Sequence, residues 1–201
     1  MAHKGIVTVV ADYRLSPTTR YKGMAMDVAS ALKWVEENIA GYGGDNSRIF
    51  VSGHSAGGHL AALVSTDNRY FDSLKIPSPI RGTILIDPFG LNMSDFFLDE
   101  HSKKEKSYYD TFSKNPKAWK DGSPFYHIHS GMSPFLLFVG GKTYDVIKED
   151  CAAFQSSLKK FQPDVELIEV KGKKHIPMIL QFFNSRNKAY RKIVEFVGNR
   201  S

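Results

Sequence analysis

Short runs of β-branched and aromatic residues alternate along this chain with longer stretches in which apolar residues recur every three or four positions. The runs predict five strands, which we place at residues 5–11, 48–53, 83–86, 135–139 and 165–170. The longer stretches predict helices at residues 24–39, 57–65, 146–161 and about 179–197. Strands that alternate with such helices form βαβ units. The sequence therefore predicts an α/β fold, a three-layer αβα sandwich around a mostly parallel sheet of about five strands.

Length and composition are those of a single globular domain spanning residues 1–201. Hydrophobic residues make up 42% of the chain and charged residues 24%, which excludes a disordered, collagen-like or coiled-coil protein. No apolar run approaches the roughly 18 residues that cross a bilayer, so we expect no membrane span. Lys+Arg 27 against Asp+Glu 21 gives a net charge of +6, but these charges are scattered and no recognition motif accompanies them. We therefore expect no nucleic-acid partner.

Cysteine usage argues against disulfides and structural zinc. Cys151 is the only cysteine, so no internal disulfide can form, and the sequence has no CxxC motif or Cys/His cluster. A single cysteine fits a reducing compartment, and the cytoplasm is the favoured location, although an export signal on a missing N-terminal region would not be seen. The sequence indicates no oligomeric state.

Residues 90–134 interrupt the alternation of strands and helices. This stretch is polar, aromatic and lysine-rich, and its periodicity is weak. Long insertions of this kind are either a functional cap or lid over a site or a surface excursion without a role in binding. Its aromatic residues would either line an apolar pocket or pack the insertion onto the core: Phe96, Phe97, Tyr108, Tyr109, Phe112, Trp119, Phe125 and Tyr126.

The sharpest local signal is the pentapeptide Gly53-His54-Ser55-Ala56-Gly57, a G-x-S-x-G pattern between a predicted strand and a predicted helix. This context is typical of a nucleophile elbow, in which the serine lies on a sharp, strained turn. We expect Gly53 and Gly57 to be glycines because larger side chains would collide there. The backbone N–H of Ala56 would then donate to an oxyanion.

A serine nucleophile needs a base and an acid further along the chain. His175 follows the strand at 165–170, and Asp145 follows the strand at 135–139. Because parallel strands end at one edge of a sheet, both side chains are expected near Ser55. The order Ser55, Asp145, His175 is the one found in α/β-hydrolases.

Other residues compete for both roles. The remaining candidate bases are His54, which adjoins the serine but would project away from it on the elbow, His59 on the following helix, and His127 and His129 in the insertion. Among the acids, Asp150 falls inside a helix and Asp164 before a strand. Asp87 ends the third predicted strand, a position that some variants of this architecture use.

Three segments resemble the α/β-hydrolase esterase/lipase superfamily: Asp12-Tyr13-Arg14-Leu15-Ser16-Pro17, Tyr42-Gly43-Gly44-Asp45 and the run from Gly53 to Ala61. The resemblance covers nearly the whole chain and is strongest to hormone-sensitive-lipase-like carboxylesterases, feruloyl and acetyl-xylan esterase-like proteins and kynurenine formamidases. It implies a serine hydrolase that cleaves a small carboxylic ester through an acyl-enzyme, with Ser55, His175 and Asp145 as the triad. It implies no metal and no organic cofactor.

One part of that family's pattern is missing. Its members carry a His-Gly-Gly loop ahead of the strand that here is 5–11, and the loop supplies further oxyanion donors. Its members also place another strand between the ones that here are 5–11 and 48–53. We expect these two strands to pair directly, or the chain to be a piece of a longer protein, the C-terminal part of such a fold.

Three functional hypotheses follow. The first is an esterase, and the second is a catalytically weak or inactive binding protein of the same fold. The third is an S9-type serine peptidase, which shares Gly-x-Ser-x-Gly-Gly and the order of the triad. Such peptidases usually add a propeller domain, and the run Asp12-Tyr13-Arg14 favours the esterases.

Overall fold

The computed structural model describes residues 1, 4–99, 106–184 and 186–198. Within these ranges, four strands form one sheet: β1 (Ile49–Ser55), β2 (Ile80–Pro88), β3 (Phe135–Gly140) and β4 (Glu166–Val170). The strands lie in the order β1-β2-β3-β4, and every neighbouring pair is parallel. Their carboxyl ends therefore share one edge of the sheet. Side chains that follow these ends meet there.

Helices join the strands and flank the sheet. The longer ones are α1 (Tyr21–Asn38), α2 (Ala56–Thr66), α7 (Asp145–Leu158) and α9 (Lys188–Gly198). The shorter ones are α3 (Arg69–Ser73), α4 (Met93–Leu98), α5 (Lys106–Phe112), α6 (Pro116–Asp121) and α8 (His175–Leu180). Single 3₁₀ turns occupy Ile39–Tyr42, Pro124–His127 and Gln181–Phe183. None of the described helices combines the length and the apolar character needed to cross a bilayer.

Alternate residues of the central strands face two separate cores. Leu85 and Leu137 join α1, α2 and α7 in the larger core, whereas Ile84, Ile86 and Phe138 join α8 and α9 in the smaller one. This alternation explains the near-continuous apolar runs of β2 and β3, because a strand covered on both faces needs apolar side chains on both. The three-layer α/β architecture predicted from the sequence is thus present.

The expected strand at residues 5–11 is absent, and the sheet has four strands instead of about five. These residues belong to no strand, and the side chain of Val10 is 93% exposed. The expected direct pairing with β1 is also wrong, because a groove of about 550 Å³ separates the two segments. An extended run becomes a strand only when a neighbouring strand satisfies its backbone groups.

The groove runs along the open edge of β1. Val7 and Val9 line one side of it, Ile49 and Val51 line the other, and α1 and α9 border it through apolar side chains. The β-branched composition of residues 5–11 therefore serves as groove wall in this structure. Composition alone does not distinguish this role from that of a buried strand.

The stretch between β2 and β3 carries α4, α5 and α6, and its residues 100–105 lie outside the described ranges. Phe97, Phe112 and Trp119 are buried and belong to the larger core, so these three aromatic residues pack the stretch onto the domain. Five of the predicted aromatic residues are less buried: Phe96, Tyr108, Tyr109, Phe125 and Tyr126.

Candidate active site

Ser55 lies where β1 ends and α2 begins. Its backbone has φ 54 and ψ −121, a conformation that costs a non-glycine residue free energy and is characteristic of functional positions. The turn lifts the side chain above the sheet edge, where the residues after β2, β3 and β4 also lie. Ser55 is therefore presented at the end of a strand and at the start of a helix, as the pentapeptide predicts.

The glycines around this turn differ in their importance. A Cβ on Gly53 would collide with the carbonyl group of Gly57, so only glycine fits at 53. A Cβ on Gly57 would meet open space, which makes the steric reason expected for Gly57 wrong. The second crowded position is Gly58, where a Cβ would lie 2.9 Å from the Cβ of Pro88. The tight contact therefore involves the second glycine of the Gly57-Gly58 pair.

His175, the first residue of α8, connects Ser55 to a buried carboxylate. Its Nε2 lies 2.9 Å from the Ser55 hydroxyl, and its Nδ1 lies 2.6 Å from Oδ2 of Asp87. A carboxylate only accepts hydrogen bonds, so Nδ1–H donates to Asp87 and Nε2 is left to accept from the serine. This arrangement is the one by which a proton can pass from the hydroxyl to the imidazole, with the carboxylate stabilising the imidazolium.

Asp145 does not take the place expected for it. It is the first residue of α7, its side chain is 88% exposed, and it accepts from Nζ of Lys148 at 3.1 Å. An acidic residue there stabilises the helix N-terminus, which explains its presence without catalysis. The acid that contacts His175 is Asp87, the alternative at the end of β2. The available signal in the sequence was that Asp87 ends the third predicted strand.

The loop after β3 holds the Asp87 carboxylate instead of supplying an acid. The N–H of Gly140 donates to Oδ1 at 2.7 Å, and the hydroxyl of Thr143 donates to Oδ2. Asp87 is fully buried and has φ 47, a left-handed conformation that aspartate tolerates better than most residues. With His175 it has three donors, which compensate for burying the charge.

His54 supports the base from the side of the nucleophile. Its Nε2–H donates to the main-chain oxygen of His175 at 3.0 Å, and the two imidazole rings are 4.5 Å apart. Burial lowers the pKa of His54, although the hydrogen bond to the main-chain oxygen of His175 acts in the opposite direction. His54 is thus kept neutral beside the imidazole that becomes charged.

The other three candidate histidines have structural partners. Nδ1 of the buried His59 donates to the Gly90 carbonyl at 2.8 Å, and burial lowers its pKa to about 4. His127 contacts the main-chain oxygen of Asp121, and Nδ1 of His129 contacts that of Ser130. Each contact ties a histidine to a backbone carbonyl, and none involves Ser55.

The other candidate acids also lie away from the imidazole. Asp150 in α7 accepts from the N–H of Asn92 at 3.4 Å, and burial raises its pKa to about 6. Asp164 is exposed just before β4, at the edge of the sheet opposite the strand ends. Asp150 is therefore part of the contact between α7 and the start of the insertion.

One group of side chains has the donor types of a metal site. His54, Asp87 and His175 each offer a ligand atom, and these atoms lie within 4.8 Å of one another. However, Nδ1 of His175 and the Asp87 carboxylate already face each other at hydrogen-bonding distance. A cation would have to replace the proton that they share, so the geometry favours a proton relay over a metal centre.

An oxyanion that forms beside Ser55 would meet the amino end of α2. Ala56 is the first residue of this helix, and the first N–H groups of a helix have no partner within it. They also lie at the positive end of the helix dipole, which favours an anion. Ala56 is thus placed to donate one hydrogen bond to the reacting oxygen.

Comparison with known proteins gives one family and a consistent set of relatives. The family model described as alpha/beta hydrolase fold matches residues 1–178. Esterase LipC of Mycobacterium tuberculosis is 26% identical over 189 residues, which are 87% of this chain and 46% of that protein. Esterase LipQ of the same organism is 32% identical over 171 residues, covering 79% and 39%. The chain thus spans less than half the length of these two relatives.

Among solved structures, a thermophilic esterase from the planctomycete Thermogutta terrifontis, determined with propionate bound, superposes with a TM-score of 0.67. It is 29% identical, and the match covers 94% of this chain and 68% of that one. A truncated carbohydrate esterase from gut microbiota superposes with a TM-score of 0.76 at 19% identity, which supports the fold alone.

Proposed function

Since the chain belongs to the alpha/beta hydrolase family, we propose that it is a serine-dependent carboxylic ester hydrolase acting through an acyl-enzyme. The observation that carries the proposal is the continuous relay from the Ser55 hydroxyl through His175 to Asp87, with contacts of 2.9 and 2.6 Å. The names of the relatives, all esterases, support ester substrates over peptides.

In the first half-reaction, Oγ of Ser55 bonds to the ester carbonyl carbon while its proton passes to Nε2 of His175. The developing oxyanion accepts from the N–H of Ala56. When the tetrahedral intermediate collapses, the bond to the alcohol oxygen breaks and the alcohol leaves with the proton from Nε2. Asp87 stabilises the imidazolium throughout through the hydrogen bond from Nδ1.

In the second half-reaction, water attacks the acyl carbon and gives a proton to Nε2. The bond between the acyl carbon and Oγ then breaks, the carboxylic acid leaves, and the proton returns to Ser55. The balanced reaction consumes one ester and one water and yields an acid and an alcohol.

The test compares the protein with Ser55→Ala. The expected result is hydrolysis of p-nitrophenyl acetate by the protein and background rates for the variant, because the variant has no nucleophile. A fluorophosphonate probe gives a second readout, since it should attach to Ser55 even when turnover is slow. Equal hydrolysis by both proteins, together with no labelling, contradicts the proposal.

A second candidate function is a binding protein with little or no turnover. It is supported by the oxyanion hole, for which only the Ala56 donor is identified within the described residues. Loss of one such donor typically slows a reaction about 100- to 1,000-fold. Labelling of Ser55 without measurable hydrolysis is the outcome expected for this candidate.

For the insertion at residues 90–134 we infer a role as a wall of the acyl or alcohol pocket. The N–H of Phe89 donates to the Ser55 carbonyl at 3.2 Å. The centre of the Phe89 ring lies 5.1 Å from that of Phe96 and 5.2 Å from that of Tyr108. These half-buried rings are suited to apolar or aryl groups. Phe96→Ala should raise KM for esters with longer acyl chains and leave acetate esters little changed, and equal KM values would contradict this role.

A further inference from the structure

The helix that begins with His175 exposes an apolar stripe. Ile176, Ile179, Leu180 and Phe183 recur at i, i+3, i+4 and i+7 along α8 and the following 3₁₀ turn. Their side chains are 58%, 36%, 52% and 91% exposed. A surface helix normally turns such a stripe toward the core. Here the opposite face is buried, through Met178 and Gln181, and the stripe faces solvent.

Cationic side chains surround this stripe along the chain. Residues 170–194 contain seven lysines and arginines and no aspartate or glutamate. Lys171 and Lys174 precede the stripe, Arg186 and Lys188 follow it, and all four are exposed. Within the described residues, none of these four pairs with a carboxylate. Asp145, at the start of α7, is paired with Lys148.

The stripe is continuous with the candidate active site. Ile176 follows His175 directly, and the exposed ring of Tyr144 lies 5.6 Å from the His175 ring. A partner that covered the stripe would therefore lie beside the base and within reach of the Ser55 hydroxyl. The position of the surface thus connects docking to the delivery of substrate.

We propose that this surface docks on a lipid interface with anionic headgroups. The aliphatic and aromatic side chains would enter the boundary between headgroups and acyl chains, and the lysines and arginines would meet the headgroup charges. A nucleic acid would match the cations but offer nothing to the aliphatic side chains. The further statement, that ester substrate is taken from that interface, rests on the proposed function.

Binding is tested with Ser55→Ala protein, so that the result does not depend on activity. The protein should float with vesicles of phosphatidylcholine and phosphatidylglycerol and much less with phosphatidylcholine alone, and high salt should release it. Lys171→Glu/Lys174→Glu should lower the vesicle-bound to free ratio by about tenfold or more. The matched control is Lys159→Glu/Lys160→Glu, which reverses two exposed charges at the end of α7 and should bind normally.

The apolar part of the surface is tested separately. Leu180→Ser/Phe183→Ser should weaken vesicle binding by about tenfold, whereas Val10→Ser/Leu15→Ser, an equal change at exposed positions elsewhere, should not. Absence of flotation with anionic vesicles overturns the proposal. Equal loss in the test and control variants also overturns it, because binding would then reflect net charge or general hydrophobicity.

An activity measurement separates this proposal from the proposed function. Leu180→Ser/Phe183→Ser should hydrolyse p-nitrophenyl acetate in solution at the normal rate and hydrolyse a long-chain ester held in anionic vesicles at least about fivefold more slowly. Failure of the protein to hydrolyse either ester counts against the esterase alone. Normal hydrolysis of the vesicle-held ester by the variant counts against the docking surface.

Discussion

Asp87 and Asp145 compete for one role, and their surroundings distinguish them. Asp87 is fully buried and contacts the imidazole, whereas Asp145 points into solvent beside a lysine. Asp87→Asn should lower kcat on the order of 1,000- to 10,000-fold, because the amide no longer orients and stabilises the imidazolium. Asp145→Asn should keep kcat within about twofold.

The measurement is steady-state hydrolysis of p-nitrophenyl acetate by both variants, with circular dichroism as a check on folding. A large loss in Asp145→Asn and a small one in Asp87→Asn would restore the acid expected from the sequence. Labelling of Ser55 in both variants separates a damaged relay from a damaged fold.

Thr143 is a positioning residue for the acid. Its hydroxyl donates to the Asp87 oxygen that also faces His175, so it restricts the rotation of the carboxylate. Thr143→Val keeps the shape and removes the donor, and we expect kcat to fall about tenfold with KM unchanged. Thr143→Ser restores the donor and should recover most of the rate. Equal kcat in the valine and serine variants would show that the hydroxyl has no such role.

At the scale of elements, His59 joins α2 to the segment that follows β2. Its imidazole is buried and neutral, with a folded-state pKa of about 4 against about 6.5 in the unfolded chain. Because the unfolded chain binds the proton more readily, stability is full above about pH 6.5 and falls as the pH drops toward 4. By about pH 4.5 this histidine should lower the free energy of unfolding by about 2–3 kcal/mol.

Denaturant titrations at about pH 7.5 and pH 4.5 measure this loss. His59→Asn retains a donor for the Gly90 carbonyl without a titrating ring, so its stability should change less between the two pH values. His129→Asn, at a partly exposed histidine away from the core, is the control and should behave as the unmodified protein does. A pH dependence that is identical in all three proteins would assign the acid sensitivity to other groups.

The open edge of β1 is the other feature at the scale of elements. β1 pairs with β2 on one side, while the groove separates its other side from residues 5–11. An unpaired strand edge leaves backbone donors and acceptors to water, and proteins usually cover such edges. The apolar groove and the open edge lie together, between residues 5–11 and β1 and bordered by α1 and α9.

At the scale of the whole molecule, the first segment of the chain and the centre of the sheet should differ in backbone protection. Amides of β2 and β3 are in the middle of the sheet, whereas residues 6–11 have no strand partner. Hydrogen exchange should therefore be fast in peptides that cover residues 6–11 and slow in peptides that cover β2 and β3. Equally slow exchange in both regions would show that the first segment pairs as a strand.

Much of this molecule could be predicted from local patterns. The alternation of runs located β1 to β4, α1, α2 and α7 within a few residues, because burial on both faces of a sheet selects apolar runs. The single helix expected at about 179–197 is instead divided into α8, a 3₁₀ turn and α9. The elbow at Ser55 was readable because a strained turn next to Gly53 leaves a local signature. His175 was readable because it lies in the loop after a predicted strand, apart from the elbow that holds His54.

The predictions that were wrong, the strand at residues 5–11 and the acid Asp145, have a common cause. Whether residues 5–11 form a strand depends on a neighbour at hydrogen-bonding distance, and which of two aspartates reaches His175 depends on loop paths set by packing. Both outcomes depend on distances between segments that are far apart in the chain. Local composition does not determine such distances. The sequence by itself determined the layers and the positions of the proposed nucleophile and base. Only the tertiary structure decided the acid, the open sheet edge and the outward stripe on α8.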